Sequence, residues 1–250
     1  MMRQPARVGT IMRVGMIHQP HFLPWPGYVA RCLAADTVVF LSNVKFNRNH
    51  FQQRTKYVSQ TGTEKWLTLP IARQSRGESI SEVEIADSFN FMRWQRPFSE
   101  AYRKCPHFHA IWSDISALIR QETPRLAAVT GTTLTYLLER LSSIVSGRMP
   151  LLMGSCSGLA GDRTQRLVKI CADERITHLI MGRDAMACHD CNCLRESGVT
   201  LVRHIYQGPV TRAPRPGITV LDDVFRLGWA EVARRLTDDW SLESIGNAAT

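Results

Sequence analysis

The segment VGMIHQPHFLPWPGYVARCLAADTVVFL, residues 14–41, decides the fold. Its apolar start predicts a buried strand over Val14–His18, and its β-branched end predicts a second one over Asp36–Leu41. Tyr28–Ala35, which lies between them, predicts a short helix. A strand, a loop, a helix and a strand within about 30 residues form a βαβ unit, and such a unit predicts a parallel sheet.

The loop between the first strand and the helix is rich in rings and prolines. Pro20, Pro24 and Pro26 exclude helix and central strand over residues 19–27, because proline offers no backbone N–H donor. The loop follows directly from a strand, and in open parallel sheets ligands bind at the carboxyl ends of strands. We interpret the loop as a rigid pocket wall; the alternative is an apolar plug that covers the sheet edge.

Four side chains of this segment are candidates for ligand binding. His18 and Gln19 come at the end of the strand, and Trp25 and Tyr28 offer flat faces on which a ring can stack. An imidazole titrates near neutral pH, so His18 can serve as a general base or as a phosphate ligand. Gly27 lets backbone approach a ligand closely before the helix begins.

The chain beyond this unit continues with strands and then turns helical. Residues 42–63 predict a long polar loop or a hairpin, Lys65–Ile71 predicts a strand, and the alternating segment Ile80–Ala86 predicts a half-exposed strand. From about residue 89 to 147, apolar residues recur with the spacing of one face of an amphipathic helix. The sequence therefore predicts a helical segment inserted into an α/β core.

After Pro150 the alternation of strands and helices resumes. The predicted fold is α/β, with a mostly parallel sheet that starts as a Rossmann-like βαβ unit and carries the helical middle segment. Residues 13–240 are expected to form a single domain. Residues 1–12 are expected to be a disordered N-terminal extension.

The segment NVKFNRNHFQQRTKY, Asn43–Tyr57, is basic and carries no acidic residue. Arginine binds phosphate or carboxylate through a planar fork, and lysine acts as a compact charge. Asn43, Lys45, Arg54 and Lys56 are therefore candidate substrate-binding residues. Two alternatives stay open, namely a solvated basic loop and a surface whose basic and aromatic side chains grip a nucleic-acid strand.

Cysteines cluster in CHDCNC, residues 188–193. Cys188, His189, Cys191 and Cys193 would be cramped as four zinc ligands, and structural zinc sites usually draw on two separated ligand pairs. Reduced thiols in a loop are predicted here rather than a metal site. Nothing in the sequence identifies a cofactor.

The chain of 250 residues carries a formal net charge of +9, which favours phosphate-bearing small molecules or nucleic acid as partners. No apolar run approaches the ~20 residues that span a bilayer, and the start lacks the pattern of a signal peptide, so a cytoplasmic protein is expected. A P-loop, a G-x-G-x-x-G fingerprint, a G-x-S-x-G elbow and an H-E-x-x-H motif are absent from the sequence. The common nucleotide-binding, hydrolase and metalloprotease signatures therefore do not apply.

The stretch HQPHFLPWPGY, residues 18–28, resembles the start of the WbqC-like family. ADTVVFLSNVKFNRNHFQQRTK, GDRTQRLVKIC, HLIMGRDA and ITVLDDVFRLG fit the same family in order, so that the resemblance covers nearly the whole chain after Met12. The matching positions are His18, Gln19, Pro20, Pro24, Trp25, Gly27, Tyr28, Val44, Phe46, Arg54, Lys56, Trp66, Thr164, Arg166, Gly182 and Asp222.

This resemblance implies a bacterial protein, often encoded beside polysaccharide or O-antigen genes, with a proposed role in transferring an amino acid, such as glycine, to an amino sugar. It favours His18 and Asp222 as catalytic residues; without the resemblance, an ordinary charge in the first turn of a helix is the better interpretation of Asp222. The candidate substrate-binding residues, from residue chemistry and matching positions together, are Gln19, Trp25, Tyr28, Asn43, Lys45, Arg54, Lys56, Thr164 and Gly182. The chain departs from the family at Asn43 and Lys45, where Asp and Gln are usual, which implies an altered substrate or lost activity if that Asp is catalytic or binds a cation.

The leading hypothesis is an acyl- or aminoacyl-transferase of surface-polysaccharide metabolism that acts on a nucleotide-sugar or an activated acyl donor. Arg54 and Lys56 would hold the anionic group, and Asp222 would orient His18 or the acceptor amine. A second hypothesis is a nucleotide-binding ligase or nucleotidyltransferase of the HxGH type, which the opening elements resemble at the level of the fold. A nucleic-acid-binding accessory protein is the third and less favoured hypothesis, and the oligomeric state is left unpredicted.

Overall fold

The computed structural model describes residues 11–75, 78–120, 124–145, 149–154, 161–206, 217–238 and 240–246. Its strands are β1 (Val14–His18), β2 (Thr37–Phe40), β3 (Arg54–Val58), β4 (Glu64–Thr68), β5 (Leu151–Gly154), β6 (His178–Ile180), β7 (Thr200–Tyr206) and β8 (Trp240–Ser244). Its helices are α1 (Pro26–Ala34), α2 (Phe91–Tyr102), α3 (Phe108–Ile119), α4 (Leu126–Val145), α5 (Arg163–Asp173), α6 (Arg183–Cys188), α7 (Cys191–Glu196) and α8 (Leu221–Asp238). Of the predicted extension, residues 1–10 lie outside this description.

The main sheet of the described residues has the strand order β5-β2-β1-β6-β7-β8. Neighbouring strands run parallel except β8, which pairs antiparallel with β7. The predicted α/β fold with a mostly parallel sheet is therefore confirmed. β2 and β5 follow on one side of β1, while β6 and β7 follow on the other, so that the strand order reverses between β1 and β6. In open α/β sheets a ligand crevice opens outside the carboxyl ends of the strands at such a reversal.

The predicted βαβ unit opens the chain. β1 pairs parallel with β2 in register from Gly15 to His18. α1 begins at Pro26, two residues before the predicted Tyr28, because the first turn of a helix needs no donor from the proline nitrogen. Residues 19–25 stay outside both elements, as predicted, whereas the prediction that Pro26 and Gly27 belong to the loop is wrong, since both lie in the first turn of α1.

Helices α2, α3 and α4 form the predicted helical middle segment. One face of α4, which includes Leu134, Leu137, Leu138 and Leu141, is fully buried and has the predicted helical spacing. α4 packs against α1 and α8. The helical segment therefore covers α1 and α8.

One predicted strand is absent. Within Ile80–Ala86 only isolated bridges occur, at Glu84 and Ile85, instead of a continuous strand. The segment bonds to irregular chain, since the Ile85 N–H donates to the Pro124 carbonyl. The alternating pattern arises because Val83 and Ile85 are buried. Periodicity alone does not distinguish such an irregular buried segment from a β-strand.

The predicted cysteine loop consists largely of the short helices α6 and α7. The Asp190 carboxylate starts α7, because it accepts hydrogen bonds from the backbone N–H groups of Asn192 and Cys193 at 2.9 and 3.1 Å. Each helix has six residues, too few to show a helical period in the sequence. The last strand, β8, extends to Ser244. The predicted domain was residues 13–240.

The opening loop is anchored by two neighbouring elements. The Thr55 hydroxyl of β3 donates to the Leu23 carbonyl at 2.8 Å. The Val220 N–H, just before α8, donates to the Pro24 carbonyl at 2.8 Å. Leu23 itself has a positive φ of 43°, a conformation that a leucine keeps only where its surroundings hold it. The loop is thus fixed as a wall between the β3–β4 hairpin and α8.

Candidate functional site

His18, Gly182 and His204 belong to three neighbouring strands of the main sheet or follow directly from them. His18 ends β1, and Gly182 follows β6 by two residues as the N-cap of α6. His204 lies near the end of β7, which pairs with β6. The strand order reverses between β1 and β6, which is where the fold favours ligand binding.

His18 is held as a neutral imidazole. Its Nδ1 lies 2.9 Å from the Gln19 carbonyl oxygen. Because a carbonyl only accepts, Nδ1 carries the proton and Nε2 keeps its lone pair. Burial, reinforced by the nearby charge of Arg31, lowers the pKa of His18 to about 4. At neutral pH Nε2 can therefore accept a proton or a hydrogen bond.

Gln19 braces the loop that His18 opens. Its carbonyl also accepts a hydrogen bond from the Tyr28 hydroxyl at 3.1 Å. Its side-chain oxygen accepts from the Gln52 amide at 2.7 Å, and the fully buried Gln52 in turn accepts from the Asn47 N–H at 2.9 Å. This chain of hydrogen bonds ties the basic segment to the end of β1.

His21 is buried at the centre of an aromatic cluster. Its ring is stacked on Tyr28 and Phe51, with centroids 4.8 and 5.7 Å away, and lies 5.0 Å from Trp25. Neither ring nitrogen has a hydrogen-bond partner in the described part of the chain. Burial lowers the pKa of His21 well below its usual value, so the ring is uncharged. His21 connects the edge of the sheet to the pocket that Phe51 lines.

Arg31 reaches the same edge from α1. Its Nε donates to the Gly27 carbonyl at 3.1 Å, and its Nη1 lies 3.1 Å from the point that a Cβ at residue 182 would occupy. A glycine at 182 therefore leaves room for the guanidinium. The charge of Arg31 lowers the pKa of both His18 and His204, and burial together with this charge brings His204 to about 4.

A pocket of about 580 Å³ opens beside the aromatic cluster. A cavity of this order suits a small-molecule ligand. Three aromatic rings, two basic side chains, a histidine, an amide and a glycine line it: Trp25, Phe51, Trp66, Arg54, Lys56, His50, Asn49 and Gly217. The structure thus brings Trp25, Arg54 and Lys56, three of the predicted substrate-binding residues, into one cavity.

Arg54 is positioned by stacking rather than by ion pairing. Its guanidinium carbon lies 3.8 Å from the centre of the Trp66 ring. Within the ranges that the structure describes, no acidic side chain forms an ion pair with Arg54, and its Nε is buried without a hydrogen-bond partner. Lys56, in contrast, pairs with Glu64 at 3.1 Å. Arg54 therefore keeps its hydrogen-bond donors for a ligand.

The model of the WbqC-like protein family matches residues 19–234, which include the opening loop, the pocket-lining segment and most of the sheet. The chain belongs to the WbqC-like family. This confirms the resemblance that the opening motif and the later stretches indicated. No curated protein and no solved structure matches the chain.

In this WbqC-like protein, Asn43 and Lys45 lie apart from the pocket lining. Asn43 is half-buried just after β2, and Lys45 is exposed, with a backbone bridge to Ser79. The two positions at which a departure from the family was expected therefore lie beside the end of β2 rather than in the cavity. Tyr28 is fully buried and stacked against His21, so its ring supports the aromatic cluster rather than facing the pocket.

Thr164 holds two helices together. Its hydroxyl accepts a hydrogen bond from the Asp190 N–H at 3.0 Å, which ties the start of α5 to the start of α7. Its own N–H donates to the Asp162 carboxylate, the cap of α5. The substrate-binding role assigned to Thr164 stays a prediction, while its observed contacts are structural.

Asp222 also has structural partners. It is buried in the first turn of α8, and its carboxylate accepts from the Arg226 guanidinium at 3.3 Å. The carboxylate is also hydrogen-bonded to the Tyr102 hydroxyl, and burial with the nearby Asp222 charge raises the pKa of Tyr102 well above its usual value. Among the described residues, no hydrogen bond joins Asp222 to His18. The catalytic role of Asp222 stays a prediction.

The described residues contain no group of three or more His, Cys, Asp or Glu side chains arranged to hold a metal ion. Cys188 is exposed, whereas Cys191 and Cys193 are half-buried with free thiols. None of the helices in the described ranges combines the length and apolar character that crossing a bilayer requires.

Sequence reasoning missed several residues of the site, among them Arg31, His50 and Phe51. Arg31 is the one basic residue of the predicted Tyr28–Ala35 helix and follows Gly27 by one helical turn, a spacing that could have marked it. His50 and Phe51 belong to the basic segment, where their side chains alternate with the charges that drew attention. Their positions depend on the fold of the hairpin, which the sequence pattern left open.

Proposed function

We propose that this protein is a transferase that binds a phosphate-activated small molecule in the pocket beside the opening loop. The observation that carries the proposal is the Arg54 guanidinium, which stacks on Trp66 and pairs with no acid among the described residues, inside a cavity walled by aromatic rings. Aromatic faces suit a base or a sugar ring, and a guanidinium fork suits a phosphate. This combination fits a nucleotide-sugar or an activated acyl donor.

The family supports a more specific reaction, in which an aminoacyl group such as glycyl passes to an amino sugar of a bacterial surface polysaccharide. The acceptor amine attacks the carbonyl carbon of the donor, and a carbon–nitrogen bond forms. The bond between that carbon and the phosphate oxygen breaks, and the phosphate leaves with the electron pair. The proton released by the amine passes to His18 Nε2.

His18 suits this role because a bound anionic donor would raise its pKa. His50 lines the pocket and lies close enough to His18 to affect its pKa. An anion bound at Arg54 adds negative charge to this region, which favours the protonated imidazole and raises the pKa of His18. The base therefore gains proton affinity when the donor is present.

The sheet order favours one rival, a nucleotidyltransferase or nucleotide-dependent ligase. A strand reversal between β1 and β6 is the usual place for a nucleotide in open α/β sheets. Such an enzyme would release pyrophosphate from a nucleoside triphosphate, whereas the proposed transferase would release the phosphate-bearing part of its donor. Assaying both products with the same preparation separates the two functions.

Calorimetric titration with UDP-glucose, a non-hydrolysable aminoacyl adenylate and a single-stranded oligonucleotide tests the proposal. We expect one of the small molecules to bind, and the variant Arg54→Gln to lose at least tenfold in affinity. Arg48 lies on the same segment, is exposed and is outside the pocket lining, so Arg48→Gln is the matched control and should keep the affinity. Binding of the oligonucleotide alone, with a steep dependence on salt, would instead identify a nucleic-acid-binding protein.

A further inference from the structure

We infer that the carboxyl edge of the main sheet contains a second anion site, in which the Arg31 guanidinium and His18 receive a phosphate group beside Gly182. This site uses none of the pocket residues around Arg54. It goes beyond the proposed function and shares His18 with the proposed reaction, but phosphate binding at this edge can be measured without turnover.

The first argument is the unbalanced charge of Arg31. Its guanidinium is half-buried, and burial lowers the pKa of this group. None of the ion pairs formed by the described residues includes Arg31. Its Nε donates to an uncharged acceptor, the Gly27 carbonyl. A desolvated cation with no counter-charge is costly in a folded protein, and an anionic ligand removes that cost.

The second argument is that the surroundings of Arg31 are neutral at pH 7. Tyr28 and Cys32 keep their protons, because burial raises the pKa of each. His18, His21 and His204 are uncharged, because burial lowers the pKa of each. Arg31 thus carries a positive charge at this edge, and these described neighbours supply no negative charge to balance it.

The third argument is space at the right place. The Arg31 Nη1 lies 3.1 Å from where a Cβ at residue 182 would stand, so the absence of a side chain there leaves room beside the end of the guanidinium. Gly182 follows β6 and His18 ends β1, the two strands between which the strand order reverses. The guanidinium therefore lies in the crevice in which open α/β sheets bind ligands.

The chemistry of the two side chains selects phosphate over carboxylate. A guanidinium donates two parallel hydrogen bonds to an oxyanion. His18 Nε2 offers a lone pair, since Nδ1 donates to the Gln19 carbonyl. Near neutral pH inorganic phosphate is a mixture of the monoanion and the dianion, and each presents an anionic edge together with an O–H. A phosphate monoester, with its second pKa near 6, keeps its O–H only in the minor monoanionic fraction. Carboxylate and sulfate are fully ionised at neutral pH and offer no such proton.

Thermal unfolding with inorganic phosphate as the probe tests this site. Phosphate should raise the Tm of the wild-type protein, and Arg31→Gln should reduce this rise more than Arg54→Gln does, because the pocket around Arg54 is itself proposed to hold a phosphate. Without phosphate, Arg31→Gln should unfold at the wild-type temperature or above it, because an uncompensated charge is removed. Arg96, which is 79% exposed and paired with Glu100, provides the control Arg96→Gln, which should keep the full rise.

Further arms identify the ligand and separate the site from the pocket. Sulfate and acetate at equal ionic strength should give smaller shifts than phosphate. Glucose 1-phosphate tests the source: a larger shift than that of inorganic phosphate assigns the site to a phosphate ester, and a smaller one assigns it to free phosphate. Arg54→Gln should keep most of the phosphate shift even if it fails to bind UDP-glucose, so that each site can fail without the other.

Four results would overturn the inference. The first is an unchanged phosphate shift in Arg31→Gln, with Arg31→Lys behaving in the same way. The second is loss of the shift in Arg54→Gln alone, which would assign phosphate to the pocket. The third is an equal shift with sulfate, which would remove the phosphate assignment. The fourth is a fall in the Tm of ligand-free Arg31→Gln, which would show that Arg31 serves the fold.

Discussion

The guanidinium carbon of Arg54 lies 3.8 Å from the centre of the Trp66 ring, and Trp66 is 39% exposed at the mouth of the pocket. A ring in this position orients Arg54 without neutralising it. Because Trp66 is partly exposed, it contributes more to the shape of the pocket than to the core.

Substituting Trp66→Leu should therefore weaken donor binding more than it weakens folding. Loss of stacking and of the orientation of Arg54 is expected to reduce affinity about tenfold, which corresponds to about 1.4 kcal/mol. Trp66→Phe should retain most of the affinity, because an aromatic face remains. Calorimetry with the ligand identified by the screen measures both, and equal affinities for all three proteins would show that Trp66 lies outside the binding surface.

Gly217 closes the pocket at a point where a side chain does not fit. Its φ is +86°, and a Cβ there would lie 2.7 Å from Cζ of Phe51. Gly217→Ala should lower the free energy of unfolding by roughly 1–3 kcal/mol and displace the Phe51 ring. Ligand affinity should fall with it, as followed by chemical denaturation and calorimetry.

Gly62 separates the two causes of that effect. It has a similar φ of +78°, but a Cβ added there would meet no atom within 4 Å, so Gly62→Ala carries the backbone strain alone. We expect a cost of about 1 kcal/mol and no change in ligand affinity. Should Gly62→Ala weaken binding as much as Gly217→Ala does, the contact with Phe51 would not be the cause.

The buried histidines make folding sensitive to mild acid. The folded-state pKa of His18 is about 4, below the ordinary value of 6.5. Between about pH 4 and pH 6.5, His18 is therefore mostly protonated in the unfolded chain and mostly neutral in the folded protein. Stability rises with pH wherever the unfolded state binds more protons. The free energy of unfolding should therefore fall as the pH is lowered from about 7 to about 4, in a buffer without phosphate.

His18→Gln should make this slope shallower between pH 7 and pH 5, because one proton-binding difference is removed. His21 and His204, whose pKa values are also lowered, would maintain the remainder. The exposed His109 provides the control, and His109→Gln should retain the wild-type slope. Identical slopes in wild type and His18→Gln would mean that His18 is not protected from protonation.

The sequence predicted the fold through its local patterns. The run from Val14 to Leu41 carries both strands and the loop between them, so the βαβ unit required no distant contact. The interior of α4 was visible in the spacing of Leu134 and Leu141. The six-residue helices α6 and α7 were not visible, because their start depends on the hydrogen bonds of Asp190. β8 was not predicted, because a short, exposed edge strand shows little alternation of apolar and polar residues.

The site was predictable only in part. Trp25, Arg54 and Lys56 could be named from residue type, but their meeting in one cavity depends on the β3–β4 hairpin. Arg31 looked like an ordinary charge in the last turn of a helix. Its role follows from burial and from the lack of an acidic partner among the described residues, neither of which a single sequence displays.

Asp222 offers the sharpest test of the catalytic assignment that the family resemblance implied. Its carboxylate is buried and bound by Arg226 and Tyr102, so Asp222→Asn should lower the free energy of unfolding by about 1–3 kcal/mol. If the role is structural, donor affinity and turnover of the folded fraction should stay within a few fold of wild type. His18→Gln, in comparison, should lose turnover by at least a hundredfold if it is the general base. A hundredfold loss in Asp222→Asn at unchanged stability would instead assign this carboxylate to the reaction.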